Sequence, residues 1–144
     1  MQDILTCAMG LDVHRDIIVA CLIKGAVDAE PEAETRTFST LIPEMQKLRD
    51  WVIESECRNI AMESTGIYWQ PIYEMLESCF DGEISILVVN ARHMKNVPGR
   101  KTDMKDAQWI ATLLRAGLLK GSFIPDKAFR ELRHLTRYRK SVVL

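Results

Sequence analysis

The chain has 144 residues, 47% hydrophobic and 27% charged, which suits one domain with a real core. No apolar run reaches the length of a membrane span, and the opening MQDILTCAMG lacks a secretory-leader pattern, so a cytoplasmic protein with no membrane partner is expected. The formal net charge of −1 averages two unlike parts: residues 1–89 hold 6 Lys and Arg against 16 Asp and Glu, a formal −10, while residues 90–144 hold 13 against 4, a formal +9. A basic segment in a near-neutral chain points to a polyanion, and nucleic acid is the favoured one. Cys7, Cys21, Cys57 and Cys79 form no C-x-x-C pair and the three histidines are scattered, so a zinc site is not expected. Nor is a structural disulfide, although Cys7 and Cys21 can face each other in the first hairpin.

Thr6 to Asp12 reads as a strand, with Thr6, Ala8, Gly10 and Asp12 on one face and Cys7, Met9 and Leu11 on the other. After the polar turn His14-Arg15-Asp16, Ile17 to Ile23 is a second strand, apolar enough to be covered on both faces. The short connection makes the two an antiparallel hairpin. Gly25 to Glu34 reads as an acidic loop, and Thr35 to Phe38 as a short edge strand. Ser39 or Thr40 is placed to cap a helix over Ile42–Ser55, with Pro43 in its first turn. Asn59 to Met62 is a strand ending at Glu63. Ser64-Thr65-Gly66 then turns the chain into a helix over Tyr68–Cys79, and Glu83 to Val89 is a buried strand. Asn90 to Arg100 is basic and reads as a short helix plus a loop. A helix follows from Asp103 to near Gly117, then the loop GSFIPD and a last helix from Ala128. The order predicts a five-stranded mixed sheet with helices on both faces, strands one, four and five being parallel.

Acidic side chains fall at three places in this scheme. Asp12 lies near the end of strand one, Glu63 at the end of strand four, and Asp103 with Asp106 at a helix start. Sites in open α/β sheets gather at the carboxyl ends of neighbouring parallel strands, where Asp12 and Glu63 would converge. Four oxygen donors without Cys or His suit Mg²⁺ or Mn²⁺, and a pair of such ions clamps a phosphodiester during in-line displacement. The spacing of Asp103 and Asp106 is equally that of a helix cap and its N3 acid, and both roles stay open.

GLDVHRD, MESTGIYW, GRKTDMKDAQWIATLL, GSFIP and ELRHLTRYR together resemble the DEDD-type insertion-sequence transposases over nearly the whole chain. The resemblance implies a RuvC-like domain of the RNase H fold, with Asp12, Glu63, Asp103 and Asp106 as the catalytic and metal-holding acids. It implies Mg²⁺-dependent DNA strand exchange for transposition, guided by a structured RNA from the element. Residues 1–127 would be the RuvC-like domain. Residues 128–144 would begin a long helix leading to a coiled coil and a serine-bearing domain absent from this chain, without which strand exchange is not expected to be completed. DNA and guide RNA are the expected partners, and a homo-oligomer is expected of the full-length protein.

Arg92, Lys95, Arg100 and Lys101 lie on the approach to the acids and are candidates for holding phosphates. Arg133, Arg137 and Lys140 share a helix face and suit a polyanion or subunit contact. Tyr68 and Trp69 offer base stacking, but packing of the helix start on the core is the expected role for both. His14 is expected to be an exposed turn residue. Two other classes are weighed: a non-catalytic nucleic-acid-binding platform, and a phosphotransferase of the sugar-kinase and actin type. The latter needs glycine-rich phosphate loops, and the 7 glycines form no such cluster.

Overall fold

The computed structural model describes residues 5–26, 30–64, 66–89 and 106–119. Strands β1 (Cys7–Val13), β2 (Ile17–Lys24), β3 (Glu32–Ser39), β4 (Asn59–Ser64) and β5 (Ser85–Val89) form one sheet in the order β3-β2-β1-β4-β5. β1 pairs antiparallel with β2, and β2 with β3, while β1, β4 and β5 run parallel. Helices α1 (Ile42–Glu54) and α2 (Trp69–Leu76) cover one face and α3 (Asp106–Arg115) covers the other. This is the five-stranded mixed sheet with helices on both faces that the sequence pattern predicts, and the arrangement that the resemblance implies. No helix among the described residues is long and apolar enough to cross a membrane.

Period-two alternation splits the core into two layers. Met9, Leu11 and Val13 of β1, with Ile60 and Met62 of β4, pack under Leu48, Trp51 and Val52 of α1 and Ile72 and Leu76 of α2. On the opposite face the sheet presents small residues, Ala8 and Ala61, to Trp109, Ile110 and Leu113 of α3. Burying Ile110, Leu113 and Leu114 contributes roughly 1.5–3 kcal/mol each. Small residues in the sheet let α3 lie low against it, which fixes where its first turn ends up.

Three local expectations are corrected. β3 begins at Glu32, inside the stretch read as an acidic loop. Its first six residues are exposed, so no buried period marks it, and its backbone pairing with β2 defines it instead. Helix α1 is capped by neither Ser39 nor Thr40: Leu41 is the N-cap and has no side-chain hydrogen bond. Thr40 Oγ1 donates to the Arg15 carbonyl at 3.0 Å, which ties the helix start to the β1–β2 turn. Helix α2 ends at Leu76, short of Cys79, and a 3-10 turn follows over Cys79–Gly82. There Phe80 and Asp81 both take φ of 55°, which an α-helix cannot continue through.

All four cysteines are free thiols. The hairpin pairs Cys7 with Lys24 and Cys21 with Gly10, so Cys7 and Cys21 are not opposite each other. Cys7 lies instead within hydrogen-bond reach of Cys57.

Candidate functional site

Asp12 and Glu63 are register partners on the adjacent parallel strands β1 and β4. Neighbouring strands lie about 4.8 Å apart, so the sheet itself holds the two carboxylates side by side. Alternation puts Asp12 on the face of Ala8 and Gly10, and Glu63 on the face of Ala61, which is the face that α3 covers. Both are half-buried, at the carboxyl ends of their strands.

Gly10 sets how α3 meets this pair. A Cβ at Gly10 would lie 2.3 Å from the Ala107 carbonyl oxygen and 2.5 Å from the Ala111 nitrogen. Helix backbone therefore rests directly on strand backbone two residues before Asp12. At the other end, Leu5 N donates to the Arg115 carbonyl at 3.1 Å, and Arg115 Nε returns a bond to the Leu5 carbonyl at 2.9 Å. Helix α3 thus runs antiparallel to β1, and its first residue, Asp106, sits at the end of the sheet that carries Asp12 and Glu63. Asp106 is exposed and lies in the first turn, where the helix dipole favours a negative charge.

Arg115 anchors the arrangement. It is 1% exposed, and Nη2 donates to the carbonyls of Gly25 at 3.2 Å and Ala26 at 2.7 Å. One buried guanidinium thereby ties the end of α3 to the start of β1 and the exit of β2. Sequence reading did not single it out, because its partners are backbone carbonyls far away in the chain.

His14 is exposed, as expected of a turn residue, and it also meets Asp12. Its Nε2 lies 3.1 Å from Asp12 Oδ2, although the ring is 57% exposed. The clue in the sequence was D-x-H at a strand end, where residues i and i+2 share a face. Tyr68 and Trp69 divide their expected role. Trp69 packs against the core and meets Tyr73 edge-on at 5.8 Å, whereas Tyr68 is 40% exposed. Gly66 takes φ of 62° in the turn after β4, as the Ser64-Thr65-Gly66 reading requires.

Asp103 lies outside the described residues, as do Arg92, Lys95, Arg100, Lys101, Arg133, Arg137 and Lys140. Among the described residues no three His, Cys, Asp or Glu side chains cluster tightly enough to hold a metal ion. What the fold supplies is a fixed pair, Asp12 and Glu63, with Asp106 at the same end of the sheet.

The structure is similar to that of RuvC from Thermus thermophilus in complex with a Holliday junction substrate. The TM-score is 0.51 at 12% identity, over 82% of this chain and 100% of that one. A second Thermus thermophilus RuvC structure gives 0.48 at 10% identity, over 82% and 84%. The fowlpox virus resolvase with its Holliday junction DNA gives 0.47 at 8%, over 67% and 65%. Comparison with curated protein sequences gives no match. The family model of the IS110-type DEDD transposases, described as Transposase, matches residues 9–144. The chain therefore belongs to the DEDD transposase family of the IS110 type.

Proposed function

We propose that residues 1–127 form the metal-dependent catalytic domain of a DNA transposase, and that residues 128–144 begin a helix leading out of it. The observation that carries this reading is the register pairing of Asp12 with Glu63 at the sheet end where α3 begins. Asp12, Glu63, Asp103 and Asp106 would hold Mg²⁺ or Mn²⁺, for which an all-oxygen donor set is suited. Such an ion, when bound, offsets the charge that builds on a phosphodiester under attack.

The chain's own residues do the rest. Asp12 and Glu63 are held by the hydrogen-bonded centre of the sheet, so their spacing needs no rearrangement when substrate arrives. Gly10 lets the first turn of α3 lie low on the sheet, with Asp106 at the same end as the pair. His14 Nε2 stands against Asp12 Oδ2 and fixes the rotation of that carboxylate. Arg92, Lys95, Arg100 and Lys101, from the basic segment, hold phosphates of the strand, and Arg133, Arg137 and Lys140 extend that contact. The nucleic acids engaged are DNA and an element-encoded guide RNA, and the acting form is a homo-oligomer. RuvC from Thermus thermophilus, which shares the fold, was captured in complex with a Holliday junction substrate, which supports DNA as a partner.

The test is transposition or strand exchange by the protein expressed from its gene, comparing wild type with Asp12→Asn and Glu63→Gln. Each variant is expected to keep its fold and to lose about 100-fold or more of the activity. Wild-type activity in both variants would remove the carboxylate pair from the mechanism.

A further inference from the structure

A cavity of about 340 Å³ opens on the α1 and α2 side of the sheet, at the same end as the carboxylate pair. Arg15 of the β1–β2 turn, Thr40 and Met45 at the start of α1, and Ile67, Tyr68, Gln70 and Glu74 from the β4–α2 region form its walls. Its walls are continuous with the segments that carry the acids. Arg15 follows Asp12 by three residues and Ile67 follows Glu63 by four, so chain reach limits their separations to about 11 Å and about 15 Å. With phosphates spaced about 3.4 Å along each strand of a duplex, that distance corresponds to about four nucleotides or fewer.

The chemistry of the walls selects what enters. The volume is at the small end of the range for ligand pockets, which is about 300–1,000 Å³. Ile67 and Tyr68 are 68% and 40% exposed, so an apolar side chain and an aromatic ring stand open at the site. The Arg15 guanidinium is engaged on both Nε and Nη2 by Asp16, each at 3.1 Å, and Glu74 adds a carboxylate. With Nε and Nη2 both given to Asp16, Arg15 does not offer a phosphate its paired donors. A flat neutral group suits the site: stacking on the open ring of Tyr68, beside the exposed Ile67 and the planar amide of Gln70.

We propose that this cavity takes a single unstacked nucleobase, flanking the phosphate that the carboxylate pair acts on. The inference rests on the nucleic-acid reading above and adds a base-binding site to it. Extruding one nucleotide into the cavity would hold the strand in register over Asp12 and Glu63, with Tyr68 as the stacking platform. Tyr68 would be a positioning residue, since it touches a base and not the reacting phosphate.

The experiment is methyl NMR of Ile67, Ile72 and Met45, with titrations of wild type, Tyr68→Ala and Tyr68→Phe. The probes are single-stranded DNA and RNA of roughly 12 nucleotides, an abasic phosphodiester of the same length, and free cytidine. Base-bearing strands are expected to shift the three methyl signals and the abasic strand to leave them in place. Tyr68→Ala is expected to weaken strand binding about 5- to 150-fold, with Tyr68→Phe close to wild type. The larger shift, with DNA or with RNA, identifies which strand supplies the base. Equal binding of base-bearing and abasic strands with unmoved methyl signals would overturn the base site and leave the nucleic-acid reading standing. No binding of any strand, and no shift with cytidine, would overturn both. The methyl shifts are read in wild type, so the test holds even if Tyr68→Ala fails to fold.

Discussion

Asp12 and Glu63 face each other as register partners on two parallel strands, and Gly10, two residues before Asp12, is the point where helix α3 touches the sheet. Strand register sets the carboxylate pair, and this backbone contact seats the helix whose first turn carries Asp106 at the same end of the sheet.

Gly10→Ala is expected to destabilise the protein. The added Cβ would meet helix backbone at 2.3 Å and 2.5 Å, and backbone cannot rotate aside as a side chain can. Overpacking of this kind costs about 1–3 kcal/mol, somewhat offset by the loss of glycine's flexibility in the unfolded chain. Urea denaturation measures the change, and an unaltered midpoint would show that α3 does not need to lie so low. Because α3 must shift, activity is expected to fall further than stability alone accounts for.

Arg115→Met keeps the aliphatic stem and removes the guanidinium. The carbonyls of Leu5, Gly25 and Ala26 then lose their donor. Hydrogen bonds to charged groups contribute about 1.5–3 kcal/mol each, and such losses are not additive, so about 3 kcal/mol is the expected cost. Hydrogen exchange is expected to quicken at the Leu5 amide, which bonds the carbonyl of Arg115. Unchanged exchange at that site would argue against the anchor.

Cys7 is expected to be the reactive thiol. A hydrogen bond from Cys57 lowers it from 9.0 to about 7, against the opposing effect of burial. Cys57, Cys21 and Cys79 are all raised, Cys57 first by its bond with Cys7 and the other two by burial. Alkylation of native protein should label Cys7 first, with a rate that climbs through about pH 7, and Cys57→Ala should move that climb upward. The linkage has a definite sign. Between about pH 7 and 9 the unfolded chain keeps the proton that folded Cys7 has released, so stability rises with pH across this window. The contribution is fully present above 9 and is lost as pH falls through about 7. A Cys7→Ala variant should lack that slope.

Binding of nucleic acid is expected to be electrostatic. The +9 of residues 90–144 predicts affinity that falls steeply with salt, through release of counterions. Lys95→Glu with Arg100→Glu should weaken binding further and flatten the salt slope. Filter binding or fluorescence anisotropy at several salt concentrations reads both. Salt-insensitive binding, or none to DNA and RNA alike, would contradict the assignment of this segment.

The parts of the fold legible in the sequence are those whose burial follows a period. β1, β2, β4 and β5 stand out because their apolar residues are covered, and the chain order then dictates parallel β1, β4 and β5. β3 was truncated to Thr35–Phe38 because an exposed edge strand has no buried face to leave a pattern. The end of α2 was overrun because positive φ at Phe80 and Asp81 is a property of packing, and neither residue type announces it. Asp12 and Glu63 could be placed at neighbouring strand ends from the pattern, and the family resemblance singles them out among the 20 acids. The demand on Gly10 could not be read this way, since it arises only when α3 docks. Arg115 was invisible for a similar reason: it reaches backbone carbonyls, which carry no sequence signature.

The most direct measurement of the central claim is urea or thermal denaturation with and without Mg²⁺ or Mn²⁺, for wild type, Asp12→Asn and Glu63→Gln. Two carboxylates about 4 Å apart repel by roughly 1 kcal/mol in water and about 4 kcal/mol at an effective dielectric of 20, so without ions each variant should be as stable as wild type or more so. Ions at 100 times their dissociation constant should stabilise wild type by about 2.7 kcal/mol and leave the variants unmoved. Wild type that gains nothing from either ion, with both variants matching it in every condition, would contradict a metal site at Asp12 and Glu63.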